Sequence, residues 1–228
     1  MEKRSFSFPA VIKTLLNGVC LGFVFPCALS CWLGDRITSD EESIFRFWAH
    51  VFSILPGKSG MFLRRAYYRL TLDRCASNFY VGFGALFTHR NAVVEKDAYI
   101  GAYALVGSVH LGEGCLIGSR ASLLSGTQQH VLDEHGHWGP CDKTRLRQIK
   151  IGDYAWIGEG AIIMANIGEG TMVAAGAVVE QDARGGILLA GNPSRFVRKL
   201  REEPQASNSI GVEFDQCLKS HASETEPG

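Results

Sequence analysis

The feature that most constrains this chain is an apolar residue that recurs about every six positions between 81 and 179. The steps between successive residues are 6, 7, 6, 6, 5, 6 and 6 in a first block, and 6, 6, 4, 6 and 6 in a second. A six-residue period is typical of a short strand followed by a tight corner, and three such units form one coil of a triangular parallel β-solenoid. The recurring residues are Val81, Phe87, Val94, Ile100, Val106, Leu111, Ile117, Leu123, Ile151, Ile157, Ile163, Ile167, Val173 and Val179.

Many of these residues are followed directly by glycine, as in Ile117-Gly118 and Ile157-Gly158. Glycine suits sharp corners and the close approach of neighbouring backbones. Ordinary hairpins would instead show apolar-polar alternation and Asn-Gly or Asp-Gly turns. The sequence therefore predicts a mainly β fold, a stacked solenoid with its aliphatic side chains inside. The shortened steps at Val106–Leu111 and Ile163–Ile167 predict altered corners.

The pattern stops between Leu123 and Gly152, where a loop at 130–148 is expected to protrude from one corner. Three of the chain's seven histidines lie here, His130, His135 and His137. A zinc site built with Cys141 is conceivable, but the spacing matches no common structural zinc pattern. We therefore expect no metal.

The N-terminal region is apolar, with no charged residue between Leu15 and Gly34. Twenty such residues are just long enough to span a bilayer. A cleaved signal peptide is disfavoured because the run is long and no clear cleavage site follows. Pro26 should break a helix in mid-run, which favours a re-entrant or surface-lying element over a simple span. A buried helical hairpin in a soluble core is the remaining alternative.

A second apolar segment at 43–55 is predicted to return beside the first. Pro56 and Gly57 should end it, and the basic, aromatic segment that follows, up to Arg74, is predicted to be helical. Its arginines suit either an anionic membrane surface or lipid phosphate, or a solvated helix face. The region at 1–78 is therefore expected to be helical and membrane-associated.

Charge excludes one class of partner. Lys and Arg total 23, as do Asp and Glu, so no net field attracts nucleic acid. No basic stripe with interleaved aromatic residues appears either. The polar tail at 201–228 has little periodicity and is expected to be mobile.

The segment "IKIGDYAWIGEGAIIMANIGEGTMVAAGAVVEQD", followed by "LLAGNPSRFVRKL", resembles the hexapeptide-repeat acyltransferases. Similarity is strongest to the galactoside, maltose, xenobiotic and exopolysaccharide O-acetyltransferases, and it extends over about 81–200. The resemblance implies a left-handed parallel β-helix domain at 79–200. It also implies a homotrimer with active sites between subunits and acetyl-CoA as the acyl donor.

The resemblance implies roles for individual residues. His130, where the last regular coil gives way to the loop, matches the family's general base, and imidazole suits this work because its pKa lies near neutrality. His135 and His137 are weaker candidates for acceptor contacts. Motif positions for binding the cofactor are Trp156, Gly158, Ala175, Gly176, Arg195 and Arg198. Glu180 and Gln181 depart from the Thr-Lys of many members, which removes one expected phosphate partner.

The expected function is O-acetylation of a saccharide hydroxyl, on a lipid-linked glycan at the cytoplasmic face of a bacterial inner membrane. The apolar N-terminus motivates the lipid link. One alternative keeps the fold but uses an acyl-ACP donor or an amino acceptor. A non-enzymatic binding solenoid is the other alternative.

Overall fold

The computed structural model describes residues 8–34, 36–37, 42–126, 130–140 and 142–200. Three helices come first, α1 (Phe8–Gly34), α2 (Ser43–Ser53) and α3 (Gly57–Thr71). The strands that follow are β1 (Arg74–Cys75), β2 (Tyr80–Val81), β3 (Leu86–Phe87), β4 (Val93–Val94), β5 (Tyr99–Ile100), β6 (Leu105–Val106), β7 (Val109–Leu111), β8 (Leu116–Ile117), β9 (Ser122–Leu123), β10 (Ile149–Ile151), β11 (Trp156–Ile157), β12 (Ile162–Ile163), β13 (Met172–Val173), β14 (Val178–Val179), β15 (Ile187–Ala190) and β16 (Arg195–Lys199).

These strands are distributed in turn over three sheets, which form the three faces of a prism. Sheet A contains β1, β4, β7 and β10. Sheet B contains β2, β5, β8, β11, β13, β15 and β16. Sheet C contains β3, β6, β9, β12 and β14. Pairing between successive coils is parallel, as between β8 and β11. Among these strands, only the last pair, β15 with β16, is antiparallel. The predicted parallel solenoid is confirmed, with about six coils.

The residues that recur every six positions form the core of the prism. Each of the fourteen periodic residues, from Val81 to Val179, is at most 1% exposed. A second buried row two positions earlier holds small residues, such as Ala121 before Leu123 and Ala161 before Ile163. Small and large side chains thus alternate along the chain within each coil and fill the narrow interior. Stacking supplies the burial that one coil could not provide for itself.

The altered corner predicted between Val106 and Leu111 is confirmed. Only Gly107 and Ser108 separate β6 from β7. A Cβ on Gly107 would lie 2.6 Å from Oγ of Ser125, so a larger residue would clash with the coil beside it.

Helix α3 lies between the first coil and α1, while α2 packs against both α3 and the first coil. Tyr68 packs edge-on to Phe87 of the prism with ring centroids 4.6 Å apart, and Tyr67 stacks on Phe45 of α2. The expectation that the α3 arginines face membrane or solvent is wrong for two of them. Arg64 and Arg65 are buried, and Arg64 donates to the carbonyls of residues 52, 53, 55 and 81. These bonds satisfy the C-terminus of α2 and tie it to the first coil.

The predicted break at Pro26 is also wrong, because α1 is one helix from Phe8 to Gly34. Val24, Ala28 and Cys31 form its buried side, while Pro26 lies on the exposed side. Packing along the buried side holds the helix together despite the hydrogen bond that proline removes. The solenoid begins at Arg74, ahead of the predicted boundary at 79, and the tail at 201–228 lies outside the described residues.

Candidate active site

The histidine-containing loop leaves the prism between β9 and β10, at the corner between sheets C and A. Its described part folds as a small hairpin, in which Leu132 and Trp138 form an antiparallel bridge. The N–H of Gly139 donates to the carbonyl of Val131 at 2.9 Å, which pairs the two arms near their base. The interruption in the repeat is therefore an ordered projection rather than an irregular excursion.

His130 lies at the base of this hairpin. Its Nδ1 is 2.9 Å from the carbonyl oxygen of Gly139. A carbonyl only accepts, so the hydrogen is on Nδ1, and in the neutral ring Nε2 then carries a lone pair. The ring is exposed to solvent. This arrangement suits a general base, because the hydrogen bond at Nδ1 fixes the orientation of the ring and leaves Nε2 available to take a proton.

Asp133 stabilises the turn of the hairpin and does not contact His130 directly. Its Oδ1 accepts from the backbone N–H groups of His135 and His137, at 2.9 and 2.8 Å. The His135 and His137 rings are 6.3 Å apart at the exposed tip. Cys141, the third group of the conceivable zinc site, lies outside the described residues. Among the residues that are described, no cluster of three potential metal ligands occurs.

The outward side of sheet B carries one row of side chains in register from coil to coil. Trp156 lies between Leu116 and Met172 in this row and is 48% exposed. The row is largely aromatic and apolar and ends on a cation, in the order Tyr80, Tyr99, Leu116, Trp156, Met172, Leu188 and Arg198. Trp156 is thus a surface residue in the middle of this row, available to a ligand or a neighbouring subunit.

The type of residue at the corner between sheets B and C changes from one coil to the next. Tyr103 and Arg120 occupy it in the second and third coils, with φ of 57° and 58°. In the fourth and fifth coils the same left-handed position is Gly160 and Gly176, with φ of 66° and 67°. A Cβ on either glycine would meet nothing within 4 Å. These two glycines form a bare backbone track that a ligand can approach closely.

One neighbour of the track, Gly158, is explained by the packing of the coils. A Cβ on Gly158 would lie 2.4 Å from the nitrogen of Ala175, so coil stacking alone requires glycine there. Ala175 itself is exposed beside Gly176. Of the four groove positions predicted around this corner, Ala175 and Gly176 are the ones that expose backbone to a ligand.

A pocket of about 760 Å³ opens at the C-terminal end of the prism. Arg184, Arg195 and Lys199 line it together with Asp182. Arg198 does not line it, because it pairs with Leu188 and extends the outer row of sheet B. Sequence reasoning missed Arg184, which follows the Glu180-Gln181 departure from the family pattern by only a few residues.

One chain does not place all the candidate residues along one edge of the prism. The hairpin of His130 leaves from the edge where sheet C meets sheet A. The bare track lies where sheet C meets sheet B. The two groups are therefore separated by the width of one face.

The repeats match the family model described as the hexapeptide repeat of succinyl-transferase, over residues 91–127 and 148–181. The gap between the matched ranges is the loop that carries His130. The chain therefore contains hexapeptide repeats on both sides of that loop.

Curated relatives include enzymes with two different activities. Serine acetyltransferase 2 of Arabidopsis thaliana is 31% identical over 125 residues, which is 54% of this chain and 31% of the relative. The mitochondrial gamma carbonic anhydrase 1 of the same plant is 28% identical over 164 residues, 58% of this chain and 60% of the relative. The chain spans less than two thirds of either relative.

A solved structure of galactoside acetyltransferase in complex with coenzyme A has the same fold. The superposition has a TM-score of 0.53 at 19% identity and covers 72% of this chain and 84% of the other. At this identity, the similarity establishes the fold alone.

Proposed function

We propose that this hexapeptide-repeat protein is an acetyl-CoA-dependent O-acetyltransferase acting on a saccharide hydroxyl. The observation that carries the proposal is the hydrogen bond from Nδ1 of His130 to Gly139, which leaves Nε2 as the basic nitrogen. The resemblance of the motifs to sugar O-acetyltransferases supports it, as do the serine acetyltransferase relative and the CoA-bound galactoside acetyltransferase of the same fold.

In the proposed reaction, Nε2 of His130 removes the proton from the acceptor hydroxyl as its oxygen attacks the thioester carbonyl carbon. The carbon–sulfur bond breaks, and the imidazolium returns its proton to the departing thiolate. The products are an acetyl ester and the free thiol of coenzyme A. The Gly139 carbonyl would stabilise the ring while it is charged, because its partial negative charge faces the Nδ1–H.

The residues present fit coenzyme A, which would supply the acetyl group as its thioester. The bare track at Gly160 and Gly176 offers backbone to the amide-bearing arm. Arg184, Arg195 and Lys199 provide charge-assisted hydrogen bonds for phosphates at the end of the prism. Arg184 thereby supplies a cation where the departure at Glu180 and Gln181 removes one. Trp156 and Arg198 would contact the donor from the adjoining face.

The proposed assembly is a homotrimer with its active sites between subunits. Two adjacent faces present apolar outer rows, that of sheet B around Trp156 and that of sheet C around Ile162. The outer row of sheet A is mostly polar, with Arg74, His110 and Lys150 beside one apolar residue, Val93. Apolar rows on two different faces suit a head-to-tail ring. Such a ring would bring His130 of one copy towards the track of the next.

The acceptor that we propose is a saccharide, lipid-linked at the cytoplasmic face of a bacterial membrane. His135 and His137 at the exposed hairpin tip are placed to contact it.

The test is acetyl transfer by the full chain from acetyl-CoA to a panel of saccharides, followed by mass spectrometry of the acceptor. His130→Gln should reduce turnover by roughly 10²–10⁴-fold, the usual contribution of a general base. His110→Gln, on the outer row of sheet A and outside the proposed site, is the matched control and should retain most of the rate.

Turnover by His130→Gln at the wild-type rate would overturn the proposed base. Transfer from acyl-ACP but not from acetyl-CoA would favour the alternative donor, and acetylation only of amino sugars would favour N-acyl transfer. Binding of saccharide with no transfer from any donor would favour the non-enzymatic solenoid.

A further inference from the structure

Helix α1 has a wide apolar surface that nothing in the described chain covers. From Leu15 to Gly34 it is long and apolar enough to cross a membrane by length and composition. Val19, Phe23 and Trp32 on its outer side are 70, 68 and 58% exposed. Phe47 of α2 is also exposed. A helix that is apolar all round needs an apolar environment on every side, which water does not provide.

The opposite side of α1 is attached to the protein along the stretch from Asn17 to Gly34. Near one end, Asn17 accepts a hydrogen bond from the buried Arg65 of α3. In the middle, Val24 is fully buried in the core, and in the last turn Cys31 lies 3.5 Å from the hydroxyl of Tyr67. At the other end Gly34 packs directly against Ile44 of α2.

This attachment decides how the helix can meet a membrane. Asn17 and Gly34 are about 26 Å apart along a helix of 1.5 Å rise per residue, close to the roughly 30 Å of a hydrocarbon core. If α1 crossed the bilayer, α3 and its buried Arg65 would have to enter with it. The first coil would follow, since Arg64 and Tyr68 of α3 bond to it. A charged prism cannot be placed in hydrocarbon at acceptable cost.

We propose that α1 lies in the plane of a lipid bilayer, with its outer face in one leaflet and α3 and the prism on the water side. The layers are then bilayer, α1, α3 and first coil in that order. The apolar face would enter about 5–10 Å into the headgroup and acyl boundary, as interfacial helices do. The acyl chains are the occupant because the face carries no charge over twenty residues and projects large aromatic side chains.

A second copy of the chain is the competing occupant. Gly18 and Gly22 lie on the exposed side with open space around them, in the G-x-x-x-G spacing that allows two helices to approach. Lipid binding and self-association give different experimental results, so one set of variants separates them.

The first test is flotation of the full chain with vesicles of phosphatidylcholine and phosphatidylglycerol. Val19→Glu adds a charge at an exposed position and should lower the vesicle-bound fraction about tenfold without changing the thermal melt, because a charge is costly at this depth. Asn91→Glu, an exposed position on the prism, adds the same charge and should float like the wild type. Equal flotation of Val19→Glu and the wild type would overturn the proposal. It would also be overturned by a wild type that does not float but forms large particles that Gly18→Leu disperses.

The second test measures depth by quenching tryptophan fluorescence with lipids brominated at different positions of the acyl chain. Leu15→Trp and Phe23→Trp are made in a background in which all four native tryptophans are replaced by Phe, and they are compared with a variant that keeps only Trp32. An in-plane helix gives one shallow depth at 15, 23 and 32. A maximum depth at 23 with shallow ends would show a span and would overturn the in-plane arrangement. Neither test depends on acyl transfer, so each can fail while the proposed function stands.

Discussion

His130 Nδ1 lies 2.9 Å from the carbonyl oxygen of Gly139, across the base of a hairpin that Asp133 holds at its turn. A backbone carbonyl cannot be removed by mutation, but the turn that positions it can be changed. Asp133 fixes that turn by accepting hydrogen bonds from the backbone N–H groups of His135 and His137. The orientation of the base thus depends on a carboxylate that does not touch it.

Asp133→Ala should lower kcat about tenfold and leave the KM for acetyl-CoA nearly unchanged, because small displacements of a catalytic group lower the rate strongly. The thermal midpoint should change little, since the hairpin lies outside the core. Asp133→Asn keeps an oxygen acceptor and should restore most of the rate. Steady-state kinetics of the two variants checks this, and equal losses in both would contradict a positioning role.

The bare backbone track predicts that two glycines with the same backbone strain differ in their effect on binding of the donor. Gly176 and Gly170 have φ of +67° and +60°, and a Cβ on either meets nothing within 4 Å. Alanine in this conformation costs about 1–2 kcal/mol, so both substitutions should lower stability similarly. Only Gly176→Ala should raise the KM for acetyl-CoA, by about tenfold, because Gly170 lies at the corner between sheets A and B. A rise in both KM values would show that backbone strain, rather than contact with the donor, is responsible.

The cationic pocket predicts how the phosphates of the donor are bound. Arg195→Gln should raise the KM for acetyl-CoA about tenfold, since a charge-assisted hydrogen bond contributes about 1.5–3 kcal/mol. For a donor lacking the ribose phosphate, the penalty should shrink if Arg195 meets that group. Arg74→Gln removes an equivalent exposed charge from sheet A and should leave the KM unchanged. Kinetics at low and high salt completes the test, because ionic contacts weaken as salt rises.

The coils could be predicted from sequence because their signal is local. Each buried residue, such as Ile117 or Ile157, repeats at a spacing set by one strand and one corner. The start of the hairpin at His130 could be predicted for the same reason, as the place where the repeat stops. Its partner Gly139 could not, because a contact nine residues away depends on how the loop folds back.

Charge and proline led to the wrong expectations in the helical region. Arg64 is charged, yet it is buried, because carbonyls at the end of α2 and in the first coil converge on it. That convergence arises from tertiary packing and leaves no pattern in the sequence. Pro26 lowers local helix propensity, but packing of α1 on α3 overrides it. Arg184 was missed because its position relative to the pocket depends on the last coil.

Glu42 links the helices to the prism and predicts an acid-sensitive contribution to stability. It precedes α2, and its two oxygens accept from the backbone N–H of Arg90 at 2.9 Å and meet Nδ1 of His89 at 2.8 Å. Burial alone would raise the pKa of this carboxyl. The hydrogen bonds with His89 and the Arg90 N–H outweigh burial, so the pKa of Glu42 lies below its ordinary value.

A carboxyl whose pKa is lowered by folding stabilises the fold above its unfolded pKa, and this stabilisation disappears as pH falls through the folded pKa. Glu42→Gln should therefore lower the free energy of unfolding at neutral pH by about 1 kcal/mol, as expected for a partly exposed pair. The gap between variant and wild type should close as the pH falls below the usual range for glutamate. Denaturant unfolding at a series of pH values measures the gap, and a gap that stays constant down to acid pH would contradict an ionic role for Glu42. Glu95→Gln, on the outer side of sheet A, provides a comparison for loss of a carboxylate from the prism alone.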